Sequence, residues 1–316
     1  MISPILFMVN TFHGQFLSRL IDPSLENKMF DEIAQTVNEQ HIEYLGVPLT
    51  IKRLDQIHPQ ISGNKFFKLK YNFQEAQQQG FKSVLTFGGA YSNHIAATAF
   101  AAHQFGFNSV GIIRGEELKD RPLNHTLKTA QALGMQLHFI SRTAYREKDQ
   151  PEFLQTLSQQ FPSHYVIPEG GTNQLAIQGC KEILTEQDQL HYDVICCAVG
   201  TGGTMTGLIE ASHSRQMVIG FSALKGDFLT EEVRQKTQKS NWYITDEFCC
   251  GGYAKTTPSL LEFMTWFEQQ YQIPLEQVYT AKMLYGIFQW IKQAKFKANQ
   301  RILLIHTGGL QGKSVA

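Results

Sequence analysis

Residues 83–113 read SVLTFGGAYSNHIAATAFAAHQFGFNSVGII. The opening five set Val84, Leu85 and Phe87 around the β-branched Thr86, and the glycine pair Gly88-Gly89 follows them directly. Residues 94–105 are helix formers that stop at Gly106, and 109–113 form a second short apolar run. The unit reads as strand, tight turn, helix, strand. Working outward, 123–133 reads as a helix with Gly134 at C′, where a positive φ is cheap only for glycine, and 137–140 as a third strand. Strand–helix–strand–helix–strand is the pattern of a parallel sheet.

The alternation resumes beyond residue 160, with buried strands over 165–167, 194–199, 218–222, 242–244 and 302–305. Helices are expected over 173–184, 204–211, 258–270 and 281–295, with Pro258 in a first helical position behind a Thr257 cap. The 316 residues suit two α/β domains or one large one. Two parallel-sheet domains are therefore expected, with the break in the polar, Gln-, Ser- and Arg-rich stretch 141–163. Residues 13–45 read as mixed loop and helix.

Lys plus Arg total 28 and Asp plus Glu total 28, so no net charge draws the chain to nucleic acid or to an anionic membrane. No apolar run is long enough to span a bilayer, and the apolar stretch 1–12 has neither a basic region before it nor a cleavage site after it. The five cysteines, Cys180, Cys196, Cys197, Cys249 and Cys250, show no metal-ligand spacing, so no metal is expected. They read as buried thiols in a reducing cytoplasm.

Open α/β sheets bind ligands beyond the carboxyl ends of their strands. Gly200-Thr201-Gly202-Gly203-Thr204 lies there and opens a helix. Its glycines let backbone N–H groups converge on an anion, and the threonines add hydroxyls, which suits one phosphate monoester. It follows neither the Walker nor the dinucleotide pattern, and a ligand-free tight turn is the plain alternative. In Ser62-Gly63-Asn64-Lys65, lysine is the residue for imine chemistry, and Phe66 and Phe67 beside it suggest a dry setting that lowers its pKa. A solvated surface lysine is the alternative there. Ser92-Asn93-His94 could hold a carboxylate at a helix start, with Asn93 donating to a phenolic oxygen, or could simply cap the helix.

Taken together, Ser-Gly-Asn-Lys (62–65), Gly-Gly-x-x-Ser-Asn-His (88–94), Gly-Thr-Gly-Gly-Thr (200–204), Val-Tyr-Thr-x-Lys (278–282) and His-Thr-Gly-Gly (306–309) form an ordered set. The set resembles the 1-aminocyclopropane-1-carboxylate deaminase / D-cysteine desulfhydrase family, pyridoxal-phosphate enzymes of the tryptophan-synthase-β fold type (fold type II). The resemblance runs from about Pro48 to Gln311. It implies a large cofactor-binding domain from 1–67 and 161–316, a small domain over 68–160, and a homodimer.

The resemblance also implies roles. Lys65 would be the Schiff-base lysine and the base for the α-proton. Asn93 would bond the cofactor's 3′-oxygen, Gly200 to Thr204 would hold its phosphate, and Thr307 would face its pyridine nitrogen. Ser92 would contact the substrate carboxylate, with Asn93 and His94 beside it. Tyr279 and Tyr253 would be active-site tyrosines. Many relatives have Gln where this chain has Tyr91, which would lie near the substrate.

The implied reaction is β-elimination or deamination of a small amino acid to a 2-oxo acid and ammonia. Cyclopropane-opening members typically carry glutamate after the active-site tyrosine, and their last Gly-Gly strand lacks threonine. This chain has Thr280 and Thr307, hydroxyls that could serve a neutral ring nitrogen, so D-cysteine or a close analogue is the expected substrate. The cyclopropane is the first alternative. Racemisation or serine dehydration on the same scaffold, and a non-catalytic ligand-binding protein, are the others.

Overall fold

Val194, Cys196 and Ala198 point to one face of their strand and Ile195, Cys197 and Val199 to the other, and all six are buried. A strand apolar on both faces belongs in the middle of a parallel sheet covered on both sides. The structure, a computed structural model, describes residues 28–297 and 299–313. The apolar stretch 1–12 and the start of the 13–45 segment lie outside the described residues.

The ten strands are β1 (Glu39–Tyr44), β2 (Val47–Arg53), β3 (Ser83–Gly88), β4 (Asn108–Arg114), β5 (Met135–Ile140), β6 (Tyr165–Ile167), β7 (Val194–Val199), β8 (Met217–Ser222), β9 (Trp242–Thr245) and β10 (Ile302–His306). They form two sheets, a six-stranded one in the order β1-β2-β10-β7-β8-β9 and a four-stranded one in the order β5-β4-β3-β6. All pairings are parallel except β1 with β2.

One face of β7 and β10 packs in the same core as Phe66, Leu69 and Phe73 of the helix Asn64–Gln78 and as Val84 and Ala101 of the smaller sheet's layer. A single apolar cluster therefore joins the two sheets. The opposite face of the six-stranded sheet is covered by the helices Pro258–Tyr271 and Thr280–Lys292 through Phe267, Leu284 and Phe288. Thr257 caps the first of these, accepting from Leu260 N, with Pro258 behind it as expected. Among the described residues no helix is long and apolar enough to cross a membrane.

Besides the unread helix Asn64–Gln78, the chain departs from the sequence reading in three places. The stretch 141–163 is not a break. It folds as the helices Arg142–Arg146 and Pro151–Gln160, which lay Tyr145 and Leu157 on Leu85, Phe87, Val110 and Ile112. The apolar positions 153, 154 and 157 have helical spacing, and the polar outer face masks it. Next, β6 lies past residue 160 yet pairs with β3, so the four-stranded sheet runs on to Ile167. Finally, residues 39–44 are a strand: only Ile42 of β1 is buried, and an edge strand of that polarity carries almost no alternation to read.

Candidate active site

The turns after β3, β7 and β10 meet, and glycine lets them. Gly63 has φ +68°, and a Cβ there would fall inside the carbonyl of Thr307, to which Asn64 N donates at 3.2 Å. A Cβ on Gly309 would stand 2.6 Å from Asn93 Nδ2, and one on Gly200 would stand 2.8 Å from the Tyr279 ring. Asn64 Nδ2 donates to Thr204 Oγ1 at 2.8 Å. Lys65, Asn93, the 200–204 loop, Tyr279 and Thr307, far apart in the chain, are thereby brought to one place.

Lys65 is the second residue of the helix Asn64–Gln78 and is partly buried, its Nζ reaching the Gly170 carbonyl at 3.5 Å. Lys68, one turn on, is 1% exposed. Its ammonium donates to Gly170 O at 2.8 Å, Thr172 Oγ1 at 2.9 Å and Thr201 Oγ1 at 3.3 Å. None of these partners is a carboxylate. Burial, and then the Lys68 charge, hold the Lys65 amine well below the usual lysine range. Burial also pushes Lys68 down to about 8.

The helix Gly203–Ala211 starts beside this pair, with Gly202 at its N-cap in the left-handed region at φ +78°. A Cβ on Gly203 would lie 2.9 Å from Thr172 Cγ2 and 3.2 Å from Lys68 Nζ. A helix N-terminus, a bare glycine, threonine hydroxyls and an ammonium without a counter-charge form a cradle that could hold a phosphate dianion. That fits the monoester read from the loop.

Asn93 Oδ1 is buried and has no hydrogen-bond partner, a polar atom left for a ligand. The Ser92 hydroxyl accepts from Ile95 N at 3.3 Å and caps the helix Asn93–Gln104, the plain role foreseen for it. His94 is 2% exposed. Thr86 Oγ1 donates to Ile167 O at 2.8 Å, so it accepts the His94 Nε2 proton across 2.7 Å. Burial, then the charges of Lys65 and Lys68, keep His94 neutral. It is packed behind the cradle. Tyr91, expected near the substrate, is 71% exposed on the turn after β3.

Tyr279 is the N-cap of the helix Thr280–Lys292, and its ring stands edge-on to Tyr253 with centroids 6.2 Å apart. Burial, then Tyr253, raise the Tyr279 phenol well above its usual pKa, so it stays protonated. Thr307 is buried at the end of β10. Thr280 is fully buried, and its hydroxyl lies 3.3 Å from Oε1 of Glu276. The Glu276 carboxylate accepts from the N–H groups of Val278, Tyr279 and Thr280 at 2.7, 2.7 and 2.6 Å. Burial raises the Glu276 pKa while those N–H bonds oppose the rise. An ionisable carboxyl group therefore lies beside Thr280.

Three parts of the site were not read from the sequence: Lys68, the Gly170–Thr172 turn and Glu276. The turn had a legible signal, since Gly170-Gly171 follows β6 as the other glycine pairs follow their strands, and both glycines have positive φ. Lys68 had only its i+3 spacing from Lys65. A cavity of about 550 Å³ lies elsewhere, lined by Lys52, Asp188, His41 and neighbours, and shares no residue with this site. Its lysine is already neutralised by Asp188.

Residues 38–308 match the family model described as pyridoxal-phosphate dependent enzyme. A mitochondrial Arabidopsis thaliana protein, named as a bifunctional D-cysteine desulfhydrase/1-aminocyclopropane-1-carboxylate deaminase, is 31% identical, over 84% of this chain and 73% of its own. A Thermotoga maritima protein, provisionally named a 1-aminocyclopropane-1-carboxylate deaminase, is 29% identical, over 85% and 91%. A crystal structure titled as an ACC deaminase homologue superposes with a TM-score of 0.76 at 25% identity, over 89% of this chain and 91% of that one.

Proposed function

The chain belongs to the pyridoxal-phosphate dependent enzymes, and from that premise we propose that it catalyses β-elimination from a small amino acid, D-cysteine or a close analogue. With cysteine and water the products are pyruvate, ammonia and hydrogen sulfide. When bound, the cofactor supplies a conjugated ring that takes up the electrons released at the substrate's α-carbon. The chain's own residues do the rest. Lys68, the 200–204 loop and Thr172 hold the phosphate. Asn93 takes the 3′-oxygen, its amide turned so that Nδ2 donates. Lys65, whose amine pKa is held well below the usual lysine range by desolvation and by the Lys68 charge, takes the α-proton. Ser92 and the start of its helix orient the substrate carboxylate. Tyr279 and Tyr253, both phenols, offer the proton that a departing β-substituent needs.

The residues that carry the substrate class are Thr280 and Thr307, hydroxyls at positions where the family resemblance implies a carboxylate and no threonine in a typical ring-opening member. A hydroxyl leaves the pyridine nitrogen a milder electron sink, enough for loss of an α-proton and a good leaving group. Glu276 favours a second reading, deamination of the cyclopropane, because its carboxylate reaches Thr280. A side-by-side assay decides between them, measuring 2-oxo acid release from D-cysteine, β-chloro-D-alanine and 1-aminocyclopropane-1-carboxylate. Pyruvate from the first two is expected to form faster. Faster 2-oxobutanoate release from the cyclopropane sinks the proposal.

A further inference from the structure

Lys282 is 1% exposed, three residues beyond Tyr279 in the first turn of the helix Thr280–Lys292. A cation there opposes the helix dipole, and burial lowers its pKa. Its ammonium donates to three backbone carbonyls and to no carboxylate: Gly252 O at 2.7 Å, Cys249 O at 2.8 Å and Ala223 O at 3.4 Å. Ala223 directly follows β8, and the other two belong to the turn that leads into Tyr253.

That turn is wound unfavourably. Cys250, Gly251, Gly252 and Ala254 all have positive φ, at 52°, 88°, 119° and 56°. For Cys250 and Ala254 the left-handed region is costly, so the conformation persists only where its surroundings impose it. One ammonium gathering carbonyls from both ends of the turn is such a constraint. The helix that carries Lys282 also carries Tyr279 at its N-cap, so the same element sets both tyrosines, whose rings stand 6.2 Å apart.

We propose that Lys282 is a positioning residue, a built-in cation that folds the Cys249–Gly252 turn and thereby places Tyr253 against Tyr279. This rests on the reading above that Tyr253 faces the substrate. An apolar side chain could fill the space but could not draw three carbonyl oxygens to one point.

The test has an arm that needs no substrate. In Lys282→Met holoenzyme, amide hydrogen exchange across 249–254 is expected to speed up by at least about tenfold while the cofactor's absorption is kept, the local opening expected when a hydrogen-bonded constraint is lost. In Lys282→Ala, added ethylammonium should slow that exchange again by occupying the vacated carbonyls. Exchange unchanged in both variants overturns the proposal, whatever the enzyme acts on. The kinetic arm is a double-mutant cycle with Tyr253→Phe. Lys282→Met is expected to lower kcat/KM by about tenfold to a hundredfold, with the double variant no worse than the poorer single. Fully additive losses mean that Lys282 does not act through Tyr253. If Lys282→Met does not fold, Lys282→Gln, which keeps a donor, runs the same cycle. Accelerated exchange with no turnover of any amino acid would count against the reaction and leave the positioning role standing.

Discussion

Replacing Lys68 by Met tests the phosphate cradle most directly. The ammonium is buried, gives its protons to Gly170 O, Thr172 Oγ1 and Thr201 Oγ1, and touches no carboxylate. Burial lowers its pKa from the ordinary 10.5 to about 8, a cost to the charged form in the free protein. A bound phosphate dianion offsets that cost. A charge-assisted hydrogen bond contributes about 1.5–3 kcal/mol, so Lys68→Met should weaken pyridoxal phosphate binding by about 10- to 150-fold. Pyridoxal, which has no phosphate, should bind both proteins alike.

The pH dependence has a definite sign. Below pH 8 the lysine is already protonated in the free protein, and its full contribution is present. As pH rises past 8, binding must take up a proton, so wild-type affinity for the phosphate ligand falls by up to about tenfold per unit until the bound-state pKa is passed. The variant lacks that slope. Titrating apoenzyme by cofactor absorbance, with both ligands from pH 6.5 to 9.5, measures all of this. Equal losses for pyridoxal and its phosphate, or an unchanged pH profile in Lys68→Met, would refute the cradle.

Two further outcomes are expected. Borohydride reduction of the holoenzyme followed by peptide mapping should place the label on Lys65, and Lys65→Ala should lose turnover by roughly several orders of magnitude, whereas a label on Lys68 or Lys70 would overturn the assignment. Gly202→Val forces a β-branched side chain to φ +78° with its Cβ 3.0 Å from Val233, so it should cost about 1–3 kcal/mol in thermal stability and weaken cofactor binding, and unaltered affinity would mean that the phosphate lies elsewhere.

The sequence by itself determined the elements whose pattern is local. Strands buried on both faces, such as 194–199, read as apolar runs, and glycines after strands marked the turns where a ligand could approach. Motif order pointed to Lys65, Asn93 and the 200–204 loop, which the fold brings together, because each lies within a few residues of its own signal. What depended on partners far away in the chain was invisible. Nothing local set Lys68 apart until Thr172 and Thr201, more than 100 residues on, closed around it. Glu276 carried no signal of its own, and only burial just ahead of the helix Thr280–Lys292 made it the acceptor for three N–H groups. The 71% exposure of Tyr91 was likewise set by the backbone of the turn after β3 and not by residue type. Whether a charge is solvated or enclosed depends on what the fold packs around it, and that only the tertiary structure decided.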